Sequence, residues 1–232
     1  MTEEMAAIVA LWHEVANSDH TSVFKQAPQA ARKRNAFDKI PQPGFVGPHY
    51  RPGGMLFMGK NPGNDPGAEL SPPDTAQLRL IDAFIKSRPE KLRAAFDDLM
   101  EGLLHSVMPH WLIVRVLVNP VLDSVSRSLS EVAYLNMVKF HTESTNLPKS
   151  LFDQSWPQTA AQLTLLDPAV IVVLGLSTAK AFFPRYTGQA RNYVFPRSNG
   201  DKYLENRAKG LITDFAQKEK AKLAAAYSLL DA

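Results

Sequence analysis

Apolar residues along the chain fall into stripes and short runs that predict alternating helices and strands. Residues 3–17 carry apolar side chains at helical spacing, which predicts an amphipathic helix. The run at 168–175 is apolar almost throughout, as in strands that are covered on both faces. Further strands are predicted at 55–59, 134–140 and 192–195, and further helices at 75–86, 89–107, 111–127, 155–166 and 177–183.

This order of elements predicts an α/β fold, because strands that alternate with helices form parallel sheets under right-handed crossovers. We expect a three-layer α/β/α domain around a central four-stranded parallel sheet. One domain is predicted over 1–232, with an N-terminal helical extension over 1–36 and a C-terminal helix over 203–232. The segment 37–54 is crowded with proline and glycine and is predicted to be irregular.

The carboxyl ends of parallel strands share one edge of a sheet, where ligands of open α/β folds bind. The segments that follow the four predicted strands should therefore converge on one cleft. These segments are 59–65, 140–145, 175–178 and 196–200.

Composition removes several classes of site. The 232 residues are 45% hydrophobic and 21% charged, as in ordinary soluble domains. The absence of cysteine excludes disulfides, iron–sulfur clusters, thiolate metal sites and cysteine nucleophiles. No apolar run is long enough to span a bilayer, and the acidic N-terminus is unlike a secretory signal, so we expect a cytoplasmic protein without a membrane partner. The net charge of +3 is compatible with a polyanionic partner without requiring one.

Candidate chemistry begins directly after the first strand. Gly59 and Gly63 would let the backbone approach a ligand closely, and Lys60 and Asn61 supply polar groups between them. The same residues also suit an ordinary turn. Asn136 stands in a predicted strand, where amides are depleted, so it reads either as a ligand-reading group or as a satisfied core amide.

Four stretches, taken in order, resemble the uracil-DNA glycosylase superfamily. Gly-Lys-Asn-Pro-Gly at 59–63 is similar to the Gly-X-Asn-Pro-Gly of the mismatch-specific and single-strand-selective branches. Leu-Asn-Met-Val-Lys-Phe at 135–140 resembles a Thr-Asn-Val-Val-Lys-Cys stretch of bacterial members. An apolar strand ending in Gly175 and a short strand ending in Pro-Arg-Ser follow in the same order, and the resemblance runs from about Gly44 to Asp214.

The resemblance implies a DNA repair hydrolase that cleaves the N-glycosidic bond of uracil or another deaminated or damaged base. It implies that Asn61 positions the attacking water, with Lys60 beside it, and that Asn136 reads the base. It also implies a monomer that binds DNA and needs neither cofactor nor metal. The remaining expected base-binding residues are Gly59, Gly63 and Phe140, and the expected DNA-binding residues are Lys139, Arg197, Ser198 and Asn199.

Two other readings remain open. Phe195 stands where the family has His or Asn, and Phe cannot donate a hydrogen bond to a leaving anion, so a non-catalytic nucleic-acid-binding relative is the second reading. The third is an enzyme that binds a nucleotide or nucleoside in the same crevice. Because 64–71 contains no aromatic residue for a base to stack on, Phe45, Tyr50 or Phe140 would have to supply that platform.

Overall fold

The computed structural model describes residues 2–62, 70–144, 146–195, 213–215 and 217–218. Its α-helices are α1 Glu3–Ala16, α2 His20–Val23, α3 Pro72–Ile85, α4 Leu92–Gly102, α5 Asn119–Ser124, α6 Lys149–Leu166 and α7 Leu176–Phe182. Its strands are β1 Phe45–Val46, β2 Met55–Gly59, β3 Val132–Asn136, β4 Val170–Leu174 and β5 Arg191–Phe195. Short 3-10 and π turns connect several of these elements.

The strands form one mixed five-stranded sheet in the order β1-β3-β2-β4-β5. Strands β3, β2, β4 and β5 are mutually parallel, and β1 pairs antiparallel with β3. The α/β class is therefore confirmed, but a purely parallel four-stranded sheet was the wrong expectation. The extra strand was not predicted because it is only two residues long and lies within the segment rich in proline and glycine.

Strand β2 lies at the centre of the sheet, paired with β3 on one side and β4 on the other. Each of β2, β3 and β4 has five residues, and all of them are buried, which explains why these strands are largely apolar in sequence. Helix α1 follows its predicted bounds: Thr2 caps its first turn and Trp12 is fully buried. The Trp12 indole N–H donates to the Gly44 carbonyl at 3.2 Å, which joins this helix to the segment before β1.

The helix predicted at 89–107 ends earlier than its pattern indicates. Its α-helical part, α4, ends at Gly102, and a π turn follows over Leu103–Val107. The predicted helix at 111–127 is interrupted in the same way: a π turn covers Val114–Val118, and α5 begins at Asn119 with Pro120 in its first turn. A proline in a first turn costs no hydrogen bond.

Strand β3 ends at Asn136, four residues before the predicted end. The chain then crosses the end of β2, where the Met137 and Val138 amides donate to the carbonyls of Gly59 and Lys60 at 3.0 and 2.9 Å. The apolar sequence continues past the strand because this turn is itself buried: Met137, Val138 and Phe140 are at most 1% exposed.

The segment 27–43, called the N-terminal arm below, covers the turn after β3. The Gln42 amide donates to the Lys139 carbonyl at 2.7 Å, and the Glu143 amide donates to the Ala30 carbonyl at 2.9 Å. Ala31 and Thr142 form an isolated antiparallel bridge. The arm therefore holds the residues that follow β3 in place. Along the described residues, no helix has the length and hydropathy to cross a membrane.

Candidate functional site

Two polar side chains and one glycine meet where β2 and β3 end side by side. Gly59 is the register partner of Asn136. A Cβ atom placed on Gly59 would lie 2.3 Å from Asn136 Oδ1 and 3.0 Å from Tyr134 Oη. The space that a side chain would fill at residue 59 is therefore bounded by the Asn136 amide and the Tyr134 hydroxyl. Glycine is required here because of close approach rather than because of its backbone angles.

The Asn136 amide is buried, and its Oδ1 atom has no hydrogen-bond partner among the described residues. A buried polar atom without a partner is uncommon, because losing hydration without a replacement hydrogen bond costs about 1–3 kcal/mol. An N–H donor from a ligand would satisfy this oxygen. The reading of Asn136 as a fully satisfied core amide is not supported by this geometry.

The Asn61 amide is held in one orientation by a directional chain of hydrogen bonds. Its Nδ2 atom donates to the Pro62 carbonyl at 2.9 Å and to Thr142 Oγ1 at 2.9 Å. A carbonyl can only accept, so the atom facing Pro62 must be the amide nitrogen. The buried Thr142 hydroxyl donates in turn to the Ser144 carbonyl at 2.9 Å, so its oxygen accepts from Asn61. This arrangement leaves Asn61 Oδ1 as the acceptor that can receive a hydrogen bond from water.

Lys60 turns the other way. Its Nζ atom donates to Ser177 Oγ, at the start of α7, at 3.2 Å. Asn61 thus contacts the segment after β3, and Lys60 contacts the segment after β4, the two neighbours of β2 in the sheet. A cavity of about 530 Å³ lies on the Lys60 side, and its lining includes Ser177 and neither Asn61 nor Asn136.

Lys139 is buried rather than placed at the surface to meet phosphate. Its side chain is 1% exposed, and its Nζ donates to the Asn136 carbonyl at 2.6 Å. Burial lowers the pKa of the Lys139 ammonium to about 7. The N-terminal arm binds the backbone of the same residue, since the backbone amide of Gln42 donates to the Lys139 carbonyl. In this structure Lys139 supports the backbone that carries Asn136.

Replacing Lys139 with Met should remove a pH dependence of stability. Between the folded pKa of about 7 and the unfolded pKa of about 10.4, the unfolded chain binds more protons at residue 139 than the folded chain does. Wild-type stability should therefore rise with pH in this window, by up to about 1.4 kcal/mol per pH unit relative to Lys139→Met. Below pH 7 the difference between the two proteins should be constant.

Urea unfolding of both proteins at pH 6, 7, 8 and 9 measures this difference. The exposed Lys25 gives the matched control, because the stability difference between Lys25→Met and wild type should stay flat over the same range. If the difference for Lys139→Met were flat as well, it would contradict a lowered pKa of Lys139 in the folded protein.

Phe140 and His141 also lie in the interior. Phe140 is fully buried between His20 and Phe24, with ring centroids 5.2 and 5.9 Å away, so it is a core residue and not a surface on which a base can stack. His141 is buried beside Phe37 of the N-terminal arm, and the side-chain amide nitrogen of Gln42 lies 2.9 Å from His141 Nε2. The other suggested platforms, Phe45 and Tyr50, are core residues too.

Phe195 is buried at the end of β5 and packs edge-on against Phe215, with 5.9 Å between the ring centroids. Phe195 is therefore a core residue. The predicted site residues Gly63, Arg197, Ser198 and Asn199 lie outside the described residues, as does most of the predicted C-terminal helix.

Three residues near the candidate site were not predicted. Tyr134 lies two positions before Asn136 and therefore on the same face of β3, a relation that strand alternation could have revealed. The half-buried Trp111 packs against the buried Tyr134, with 5.7 Å between ring centroids. No sequence pattern indicates a role for Thr142, because its contact with Asn61 joins residues that are 81 positions apart.

Within the described ranges, no group of three His, Asp or Glu side chains is arranged to hold a metal ion. In comparisons with known proteins, the chain matches no family model and no curated sequence.

Proposed function

We propose that this protein is a DNA glycosylase of the uracil-DNA glycosylase superfamily, which hydrolyses the N-glycosidic bond of uracil or a related deaminated or damaged base. The single observation that carries the proposal is the placement of two amides where adjacent strands end. Asn136 presents an unpartnered buried oxygen, and Asn61 presents an oxygen whose orientation is fixed. The proposal includes a three-layer α/β/α arrangement around the four parallel strands.

The Asn136 oxygen suits the pairing edge of a nucleobase. A base extruded from DNA is read by hydrogen bonds to its Watson–Crick edge and by stacking on aromatic side chains. Uracil, hypoxanthine and xanthine each carry a ring N–H that an amide oxygen accepts. The Asn136 oxygen lies against Gly59, where a Cβ atom would be 2.3 Å from it, so the glycine allows the amide to take this position.

The Asn61 oxygen suits the attacking water. An amide cannot act as a strong general base, so it orients the water without removing its proton early in the reaction. The bond between C1′ of the deoxyribose and the base breaks first, and the electron pair leaves with the base. The water oxygen then bonds to C1′ and releases its proton to solvent. Catalysis of this kind depends on holding the water and base in place.

The test is a cleavage assay on labelled oligonucleotides that contain uracil, hypoxanthine, xanthine or a mismatched thymine, followed by alkali to break the abasic strand. We expect scission on at least one substrate and none on the undamaged control. Folded protein that cleaves none of them, with urea unfolding as the check on folding, would remove the catalytic proposal.

A second candidate is a nucleic-acid-binding relative that has lost the reaction. The observation that favours it is the burial of Phe195 against Phe215, because a His or Asn side chain at that position would be the donor to the leaving base in the family it resembles. This candidate predicts binding that weakens steeply with salt, since phosphate neutralisation releases counterions, without any scission.

A further inference from the structure

A cationic cavity opens beside the candidate site, between the end of β2, the start of α6 and the helix α7. Its volume is about 530 Å³, within the range of small-ligand sites. Of the residues that the structure describes, four cationic side chains and one carboxylate line it: Lys60, Lys149, Lys180, Arg185 and Asp153.

The one carboxylate among these lining residues already has a cationic partner. Asp153 pairs with Arg185, whose Nη2 lies 2.5 Å from Asp153 Oδ1. The Arg185 guanidinium also lies over the Phe152 ring, 5.6 Å from its centroid. The exposed Lys149 and Lys180 add further positive charge to the cavity. The cavity is therefore suited to an anion.

Apolar side chains flank this charge on α7. Leu176 and Phe183 are 58% and 42% exposed, and they are two of the three large hydrophobic residues exposed in the described part of the chain. Leu176 precedes Lys180 by four residues and Phe183 follows it by three, so both are its neighbours on the helix surface. An exposed aromatic ring thus adjoins a lysine that lines the cavity.

We propose that this surface binds single-stranded DNA, with backbone phosphates in the cavity and an unpaired base on the Phe183 ring. Proteins that bind single strands combine a cationic groove with aromatic side chains on which bases stack. A duplex cannot use the ring in this way, because its bases are already stacked and paired. The proposal rests on the proposed function, and it extends that function by adding a strand-binding surface next to Lys60.

The experiment measures fluorescence anisotropy of an undamaged single-stranded oligonucleotide and of the matching duplex, over a series of salt concentrations. We expect the single strand to bind more tightly. Lys149→Glu/Lys180→Glu should weaken single-strand binding at least tenfold and flatten the salt dependence, whose slope is about 0.7 for each phosphate contact. Phe183→Ala should weaken single-strand binding roughly tenfold and leave duplex binding unchanged.

The matched control is Arg79→Glu/Lys91→Glu, which reverses two exposed charges outside the cavity. Equal weakening by the control, or wild-type single-strand affinity in Phe183→Ala, would overturn the proposal. A competition experiment gives a further test. If thymidine monophosphate displaced the labelled oligonucleotide at the same concentration as the unlabelled strand does, a site for one phosphate would explain the binding, and the proposal would be overturned. Binding to anionic phospholipid vesicles with the same residue dependence, without binding to oligonucleotides, would also overturn it.

Because the oligonucleotide carries no damaged base, binding is scored apart from chemistry. Cavity-dependent binding without excision of any base would remove the proposed function and leave this surface. Excision with wild-type single-strand affinity in Lys149→Glu/Lys180→Glu would remove this surface and leave the function.

Discussion

Asn61→Ala is expected to lower single-turnover excision of uracil by about a hundredfold or more, since in the proposed reaction the Asn61 oxygen orients the attacking water and its loss would misplace a reactant. The measurement is the rate of abasic-site formation at saturating enzyme, so that weaker binding does not enter the rate. Folding is checked by urea unfolding, where the half-buried Asn61 should contribute little. Wild-type excision by Asn61→Ala would contradict the proposed role.

Substitutions at Thr142 test whether the orientation of the Asn61 amide matters, as distinct from its presence. Thr142→Val keeps the shape of the side chain and removes the oxygen that accepts from Asn61 Nδ2, so excision should fall about tenfold. Thr142→Ser retains the hydroxyl and should retain most of the rate. If Val and Ser behave alike, the hydrogen bond to residue 142 does not set the orientation of Asn61.

Asp38→Ala is expected to destabilise the protein by about 3–5 kcal/mol, because it removes one member of a buried ion pair. Asp38 is 1% exposed and lies 3.2 Å from Arg32 Nε, whose side chain is 4% exposed. The Asp38 carboxylate also accepts from the backbone amides of Arg34 and Asn35 at 2.7 and 3.2 Å. Urea unfolding measures the loss.

The matched control is the exposed pair of Asp82 and Lys86, where Asp82→Ala should cost about 1 kcal/mol or less. Asp38 fixes the shape of the N-terminal arm through Arg32 and the backbone of Arg34 and Asn35, and this arm covers the turn after β3. Asp38→Ala should therefore also reduce excision at temperatures where the protein is still folded. Equal losses of stability in the two variants would show that the pair with Arg32 is effectively solvated.

Local pattern was sufficient for the strands that surround the site. The apolar runs at 55–59 and 168–175 identified β2 and β4 because buried central strands must be apolar on both faces. The predicted end of β3 is too late because Met137 and Val138 are buried for another reason: after the strand ends, they cross the end of β2 in the interior. Periodicity cannot distinguish these two causes of burial.

The candidate site was partly accessible from sequence. The positions of Asn61 and Asn136 followed from the strand ends, and the register pairing of Gly59 with Asn136 brings those ends together. The burial of Lys139 and the bond between Asn61 and Thr142 depend on contacts between distant segments, to which local sequence carries no guide. They were therefore beyond prediction from the chain alone.

The central place of β2 determines how the candidate site will respond to heat. A strand bonded on both sides belongs to the most protected part of a fold, so its amide hydrogens should exchange with deuterium only through global opening. The loop that carries Asn61 is tied to this strand at its first residue. Thermal inactivation should then coincide with cooperative melting rather than precede it.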